Sequence, residues 1–199
     1  MKKSFMLLAL LVASVSAQAA VYEVNAKTNS TTGGSGVAVA AFTVGTTFTI
    51  TTDPLDLWKT GNSPHWSNAN GLTGPNLLST GFADTNGDRP TNKNKAGTII
   101  GQSYANWTQG GLSAPQGALV GEWGNALGQY FLIGTNFTGI AIDSQLKLYA
   151  FDRNISGNGG SILANLNISA VPEPETYGML LAGLGLISFS AKRRKTNFV

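Results

Sequence analysis

Apolar and polar residues alternate with a period of two through most of this chain, which sends successive side chains to opposite faces of an extended backbone. The pattern predicts strands over 37–43, 46–52, 98–101, 118–122, 130–133, 139–142, 147–151 and 162–168. Gly, Asn, Asp and Pro separate them, as turns require. Gly45 reads as the turn joining the first two strands, and Asp143-Ser144 as a tight hairpin turn before 147–151. No helical period of ten or more residues occurs between residues 20 and 170. Many short strands at near-regular spacing predict an all-β fold, a β-sandwich of the jelly-roll kind. Residues 55–94 break the rhythm. They are rich in Gly, Asn, Pro and aromatics, and predict large loops at one end of the sandwich, where ligands commonly bind.

The two ends of the chain are apolar without alternation. Lys2 and Lys3 precede an apolar run from Phe5 to Val15, followed by Ala17-Gln18-Ala19. These are the three parts of a secretory signal peptide with an A-x-A cleavage site, which assigns residues 1–19 to the signal and 20–170 to the body. At the other end Pro172-Glu173-Pro174 precedes fifteen uncharged residues, Tyr177 to Ala191, and then Lys192-Arg193-Arg194-Lys195. Fifteen residues of helix reach about 22 Å, short of the roughly 30 Å of a bilayer core. Stretched by Thr176 and by snorkelling Lys192, residues 176–191 are expected to form a transmembrane helix. The basic tail 192–195 then lies on the cytoplasmic side. The prolines hold Val171 and Glu173 extended just outside the membrane, open to a membrane-embedded protease.

Composition changes one part of this picture. The whole chain is formally +3, but six of its 13 basic residues lie in the two terminal segments. The body keeps seven basic against eight acidic side chains, so nothing in it argues for nucleic acid. With no cysteine, disulfides, thiolate metal sites and cysteine nucleophiles are excluded. A body of this length buries enough apolar surface to do without disulfides.

In order and spacing, Pro172-Glu173-Pro174, the short apolar helix and the Arg193-Arg194 end resemble the PEP-CTERM sorting signal of Gram-negative bacteria that make exopolysaccharide. The resemblance covers residues 171–196. It implies an exported protein held transiently in the inner membrane by its C-terminal helix. An exosortase would then process it and deliver it to the cell surface or extracellular matrix. A plain single-pass anchor is the alternative.

Signals for catalysis in the body are sparse. His65 is the only histidine, no G-x-S-x-G elbow is present, and one histidine without cysteine is a poor zinc set. The carboxylates are few and scattered; Glu122 with Asp152 is an example of a glycosidase-like pair, and no local motif supports it. The chain therefore reads as a non-enzyme. Asp84 to Asp88, DTNGD, imitates the start of a calcium loop but has glycine at the fourth position and Lys95 at the twelfth, so it reads as a polar turn. The N-x-S/T triplets at Asn29, Asn106, Asn136, Asn154 and Asn167 read as chance in a chain this rich in Asn, Ser and Thr. Phe151 to Ser161, FDRNISGNGGS, gathers an aspartate and several oxygen donors on one tight loop between strands. That suits either a hard cation such as calcium or a hairpin loop whose Asp and Asn bond their own backbone.

The stretches APQGALVGEWGN (114–125) and LKLYAFDRNISGNGGSILANLNI (146–168) resemble the calcium-dependent galactophilic lectin family of bacteria. The resemblance spans residues 37–168 with an insertion around 76–113. It implies a small galactose-binding-lectin-like β-sandwich whose Ca2+ bridges protein and sugar hydroxyls. The metal set it implies is Thr60, Asp152, Ser156 and Asn158; the carbohydrate set is Thr60, His65, Trp66, Asp152 and Asn158. Two departures stand out: Gly159 follows Asn158 where the family has a second asparagine, and His65 does not match the family's sugar-contacting histidine. Trp58, Trp66 and Trp107 fall in loops, where they either stack on sugar faces or cover the ends of the core; Trp123 follows a strand and reads as core. The expected function is a surface or matrix protein that binds carbohydrate or exopolysaccharide. The alternative is a structural biofilm component with no small-sugar site.

Overall fold

The computed structural model describes residues 18–62, 64–88, 94–169 and the helix 174–195. The signal-peptide assignment lies outside these residues except for Gln18 and Ala19, and Pro172 and Glu173 lie outside them as well. The chain forms two compact units, one spanning Gln18–Ser169 and one holding the helix.

In chain order the strands are β1 (Gln18–Asn25), β2 (Val37–Ala38), β3 (Thr47–Thr51), β4 (Trp58–Lys59), β5 (Trp66–Ser67), β6 (Leu77–Leu78) and β7 (Ile99–Gly101). There follow β8 (Trp107–Gln109), β9 (Leu112–Ala114), β10 (Leu119–Trp123), β11 (Tyr130–Leu132), β12 (Asn136–Ile140), β13 (Leu146–Ala150) and β14 (Ser161–Ile168). One four-stranded antiparallel sheet has the order β1-β14-β3-β12, and a second has the order β11-β10-β13-β2. Three short hairpins, β4-β5, β6-β7 and β8-β9, complete the set. The body is all-β, as the alternation predicts.

The alternation shows directly in burial. Phe48 and Ile50 of β3 and Ile162, Ala164 and Leu166 of β14 point inward, while Asn165 and Asn167 point out. Leu119 and Trp123 of β10 and Leu146, Leu148 and Ala150 of β13 meet them in one cluster, so both sheets feed a single core. The other face of the second sheet is covered too. Ala114, Ala118, Val120, Tyr149 and Phe151 form a second cluster, with Trp107, Leu112 and Tyr130 against it. That double cover explains why all five residues of β10 are buried rather than every second one. Gly121 has no alternative there: a Cβ would lie 2.4 Å from the Phe131 ring.

The expected hairpin at Asp143-Ser144 is corrected, and the turn at Gly45 joins strands of different sheets. β2 pairs with β13 and β3 with β12 and β14, so the chain changes sheet around Gly45 rather than folding back. It changes sheet again at Asp143-Ser144, because β12 pairs with β3 and β13 with β10. A turn signal states that the chain reverses; it does not state which edge receives the next strand. β1 is an addition to the expected strands, since it begins inside the segment assigned to the signal.

In the second unit the helix Pro174–Lys195 is longer than the expected 176–191. Among the described residues no helix is long and apolar enough to cross a membrane, so the transmembrane expectation is not confirmed. Extending beyond the fifteen uncharged residues takes in Glu175 and Thr176 on one side or Lys192 and Arg193 on the other. Met179, Leu180, Leu181, Leu184, Leu186 and Ile187 are all more than half exposed, and the Ser188 hydroxyl is satisfied by the Leu184 carbonyl at 2.8 Å.

Candidate functional site

Three segments converge beside the start of β10. They are the residues after β4, the turn at Gln116, and the loop between β13 and β14. Lys59 and Gly159 exchange backbone hydrogen bonds of 2.7 and 2.9 Å, which ties the 152–160 loop to β4. Gly117 N–H donates to the Phe151 carbonyl at 2.7 Å, fixing the Gln116 turn against the same loop.

At the centre lies Asp152, with 0% of its surface exposed. Its Oδ1 accepts from Gln116 Nε2 at 2.8 Å and from the Arg153 N–H at 2.7 Å, and its Oδ2 accepts from Asn158 Nδ2 at 2.7 Å. Gln116 Nε2 also donates to the Thr60 carbonyl at 3.1 Å. Asn158 donates to the Ala26 carbonyl at 2.9 Å and accepts from Gly61 N–H at 2.7 Å. On the far side, Thr31 and Thr32 hydroxyls donate to the Asp152 carbonyl at 3.0 and 2.6 Å. Thr60, Asp152 and Asn158 thus come together through Gln116, a residue that the sequence reading missed. Gln116 carries no motif; it is simply a polar residue in a Pro-Gln-Gly turn.

Calcium needs oxygens free to face one point. Here amide N–H groups face the Asp152 carboxylate and the Thr60 carbonyl, where a cation's charge would stand, and Asn158 Oδ1 is already engaged. Ser156 is exposed, and its N–H closes a local turn on Asn154 Oδ1 at 2.8 Å. As arranged, this set does not fit a calcium ion: it is a hydrogen-bonded clasp. Among the described residues, no group of three His, Cys, Asp or Glu side chains could hold a metal.

An open cavity of about 220 Å³ lies against the clasp, lined by Asn62, His65, Gln116, Arg153 and Asn154 among others. Thr60 and Asp152 are fully buried, so they shape this cavity rather than offer surface to a ligand. His65 stands at its edge, bonded through Nε2 to the Tyr104 hydroxyl at 2.6 Å with the rings edge-on. Its Nδ1 is buried without a partner beside Gly61, where φ is +105° and a Cβ would meet that nitrogen at 2.5 Å. Burial holds the imidazole pKa below its usual 6.5, so the ring is neutral at neutral pH.

The tryptophans divide. Trp58 is fully buried with its Nε1 on the Gly117 carbonyl at 2.8 Å, Trp107 packs on the second cluster, and Trp123 sits in the main core. Trp66 is half-buried and, with Asn68, Asn70, Asn76 and Gln102, lines a second open cavity of about 280 Å³.

Neither carboxylate of the glycosidase-like pair is available. Glu122 accepts from Tyr149 OH at 2.7 Å and Gly128 N–H at 2.6 Å; burial and this bond push the Tyr149 pKa far up. Glu122 lies opposite Lys147, five residues along β13 from Asp152. At about 3.3 Å per residue that is roughly 16 Å, well beyond the ~5–9.5 Å that either glycosidase mechanism uses.

The DTNGD turn docks on β14. Asp88 Oδ2 accepts from the Ser161 N–H and hydroxyl, while Asp56 Oδ2 accepts from the Leu163 N–H at 2.7 Å. These carboxylates take up N–H groups of β14 ahead of Asn165, where its pairing with β3 begins. Asp56 is 0% exposed and its Oδ1 has no partner. Burial raises its pKa to about 6 against the pull of the Leu163 N–H, with Asp84, Asp88 and Asp53 adding to the rise. Asp88 is also raised, chiefly by burial.

Residues 170–195 match the PEP-CTERM protein-sorting motif. No curated protein and no solved structure matches the chain. The motif marks an exported protein that carries a C-terminal sorting signal and is processed by an exosortase. Of its residues, Pro174, Arg193 and Arg194 fall in the helix.

Proposed function

We propose that this is a non-enzymatic surface or matrix protein whose β-sandwich body is lectin-like and binds carbohydrate or exopolysaccharide. The sorting motif at 170–195 supports delivery to the surface. One observation carries the carbohydrate reading: the loops expected to bind sugar converge on a single open cavity, with His65, Asn62 and Asn154 at its wall and Trp66 lining the neighbouring hollow. Amide groups and an aromatic face are the usual means of reading sugar hydroxyls and C–H faces. Calcium would enter this reading only if the Gln116 side chain swung away from Asp152 and Thr60.

The test is retention of the host-purified protein on immobilised host exopolysaccharide and on a galactose column, each with calcium and with chelator. Retention lost in Asn62→Ala and His65→Ala supports the reading; no retention on either matrix overturns it. A structural matrix role is the second reading, favoured by the clasp that consumes Asp152 and Asn158 internally. For the sorting step, removal of the tail is expected: intact mass showing residues 175–199 still attached to surface-located protein would refute processing.

A further inference from the structure

We infer that the cavity beside the clasp takes an acidic sugar, with the carboxylate of a uronic-acid residue on the Arg153 guanidinium. The inference rests on the carbohydrate reading and narrows it. Three observations carry it together.

The first is the shape and lining of the cavity. At about 220 Å³ it suits one sugar residue, and no acidic side chain lines it. The second is the state of the nearest carboxylate. Asp152 is buried, and both of its oxygens are spent on Gln116, Asn158 and the Arg153 main chain. The third is Arg153 itself. Its side chain is exposed at the cavity and makes no ion pair or side-chain hydrogen bond among the described residues. Arg153 and Lys59 are both close enough to act on His65, and Asp152 acts on it in the opposite sense from within the fold.

A site that reads neutral hydroxyls through a bound cation needs that cation's seat open. Here an amide fills the seat and a guanidinium stands next to it. A planar guanidinium fork matches a carboxylate in geometry as well as charge, whereas hydroxyls gain little from it. Asn62 and Asn154 remain to bond the sugar's hydroxyls, Asn154 through its Nδ2 because its Oδ1 holds the Ser156 N–H.

Calorimetric titration of the host-purified protein with tri-galacturonate and with neutral galactotriose tests this, since the two differ in the carboxylate. Tri-galacturonate is expected to bind the more tightly, chelator to change nothing, and added salt to weaken it. Arg153→Gln should cut affinity about tenfold or more, and Arg153→Lys should keep part of it, both with an unchanged melting temperature. Equal binding of the two sugars, unaffected by Arg153→Gln, would overturn the inference and leave the carbohydrate reading standing. Binding that chelator abolishes would overturn it as well. Binding of neither sugar, with host polysaccharide also unbound, would remove both.

Discussion

Asp152 and Asp56 are equally buried, yet the fold treats them in opposite ways. Asp152 has a donor on each carboxylate oxygen, two of them side-chain amides that join three loops. Asp56 has one main-chain donor, an unpartnered second oxygen and three aspartates near enough to raise its pKa. Equal burial therefore does not mean equal satisfaction: the two carboxylates differ in how many N–H groups are aimed at them. Asp152 holds its region together through three N–H donors, and Asp56 holds its region best when it keeps its proton.

The sharpest way to break this comparison is Asp152→Ala. It strands Gln116 and Asn158 together and should cost about 3 kcal/mol or more, a fall of roughly 10 °C in melting temperature. A loss no larger than that of an exposed-loop substitution would show that the clasp is not a stabilising centre. Asp56 should respond to pH with the opposite sign from an ordinary salt-bridged carboxylate. Its folded pKa of about 6 exceeds its free value of 3.8, so the folded state binds more protons between them. Stability from this group is complete below 3.8 and is lost as pH rises through about 6. His65, with a lowered pKa, acts the other way as pH falls below 6.5. The difference between wild type and Asp56→Asn isolates the first effect. The Asp56→Asn variant should melt a few degrees higher than wild type at pH 8, with the gap narrowing as pH falls through about 6 towards about 4; a constant gap would refute the raised pKa.

Gln116→Ala should cost about 1–2 kcal/mol, because Asp152 keeps two donors while the Thr60 carbonyl loses the Gln116 amide. It also sharpens the metal question: calcium should leave the melting temperature of wild type unchanged and raise that of the variant. Stabilisation of wild type by calcium would mean that Gln116 yields its place. Thr60→Val should be the smallest change, within about 0.5 kcal/mol. Thr60 serves through its carbonyl, and its buried hydroxyl has no partner. A large loss would reveal a role for that hydroxyl.

How far the sequence foretells this structure varies with the physics involved. β3, β10, β13 and β14 are legible because side-chain alternation is local, and a buried face writes itself into every second residue. Sheet membership is not, because Gly45 and Asp143-Ser144 look the same whether the chain returns to the same sheet or crosses to the other. The lectin resemblance puts Thr60, Asp152 and Asn158 in one set as metal ligands, whereas the structure joins them by hydrogen bonds. The sealing of that group by Gln116 does not follow from the resemblance, since a side-chain amide has no spacing rule. Asp56 escapes for the same reason, and its state depends first on its burial and then on Asp84, Asp88 and Asp53, two of them roughly thirty residues away. At the C-terminus the motif is plain and its helix is expected, but the helix runs longer than its uncharged stretch suggests.

β14 is the last strand of the body to be made, yet it lies between β1 and β3, and its Leu166 sits opposite Ala20 of β1. The first sheet has no partner for β1 until almost the whole body has emerged. Such late, long-range closure makes folding slow. For an exported chain that order of closure has a use: until β14 has emerged the first sheet is incomplete, and an incomplete sheet keeps a chain threadable for longer.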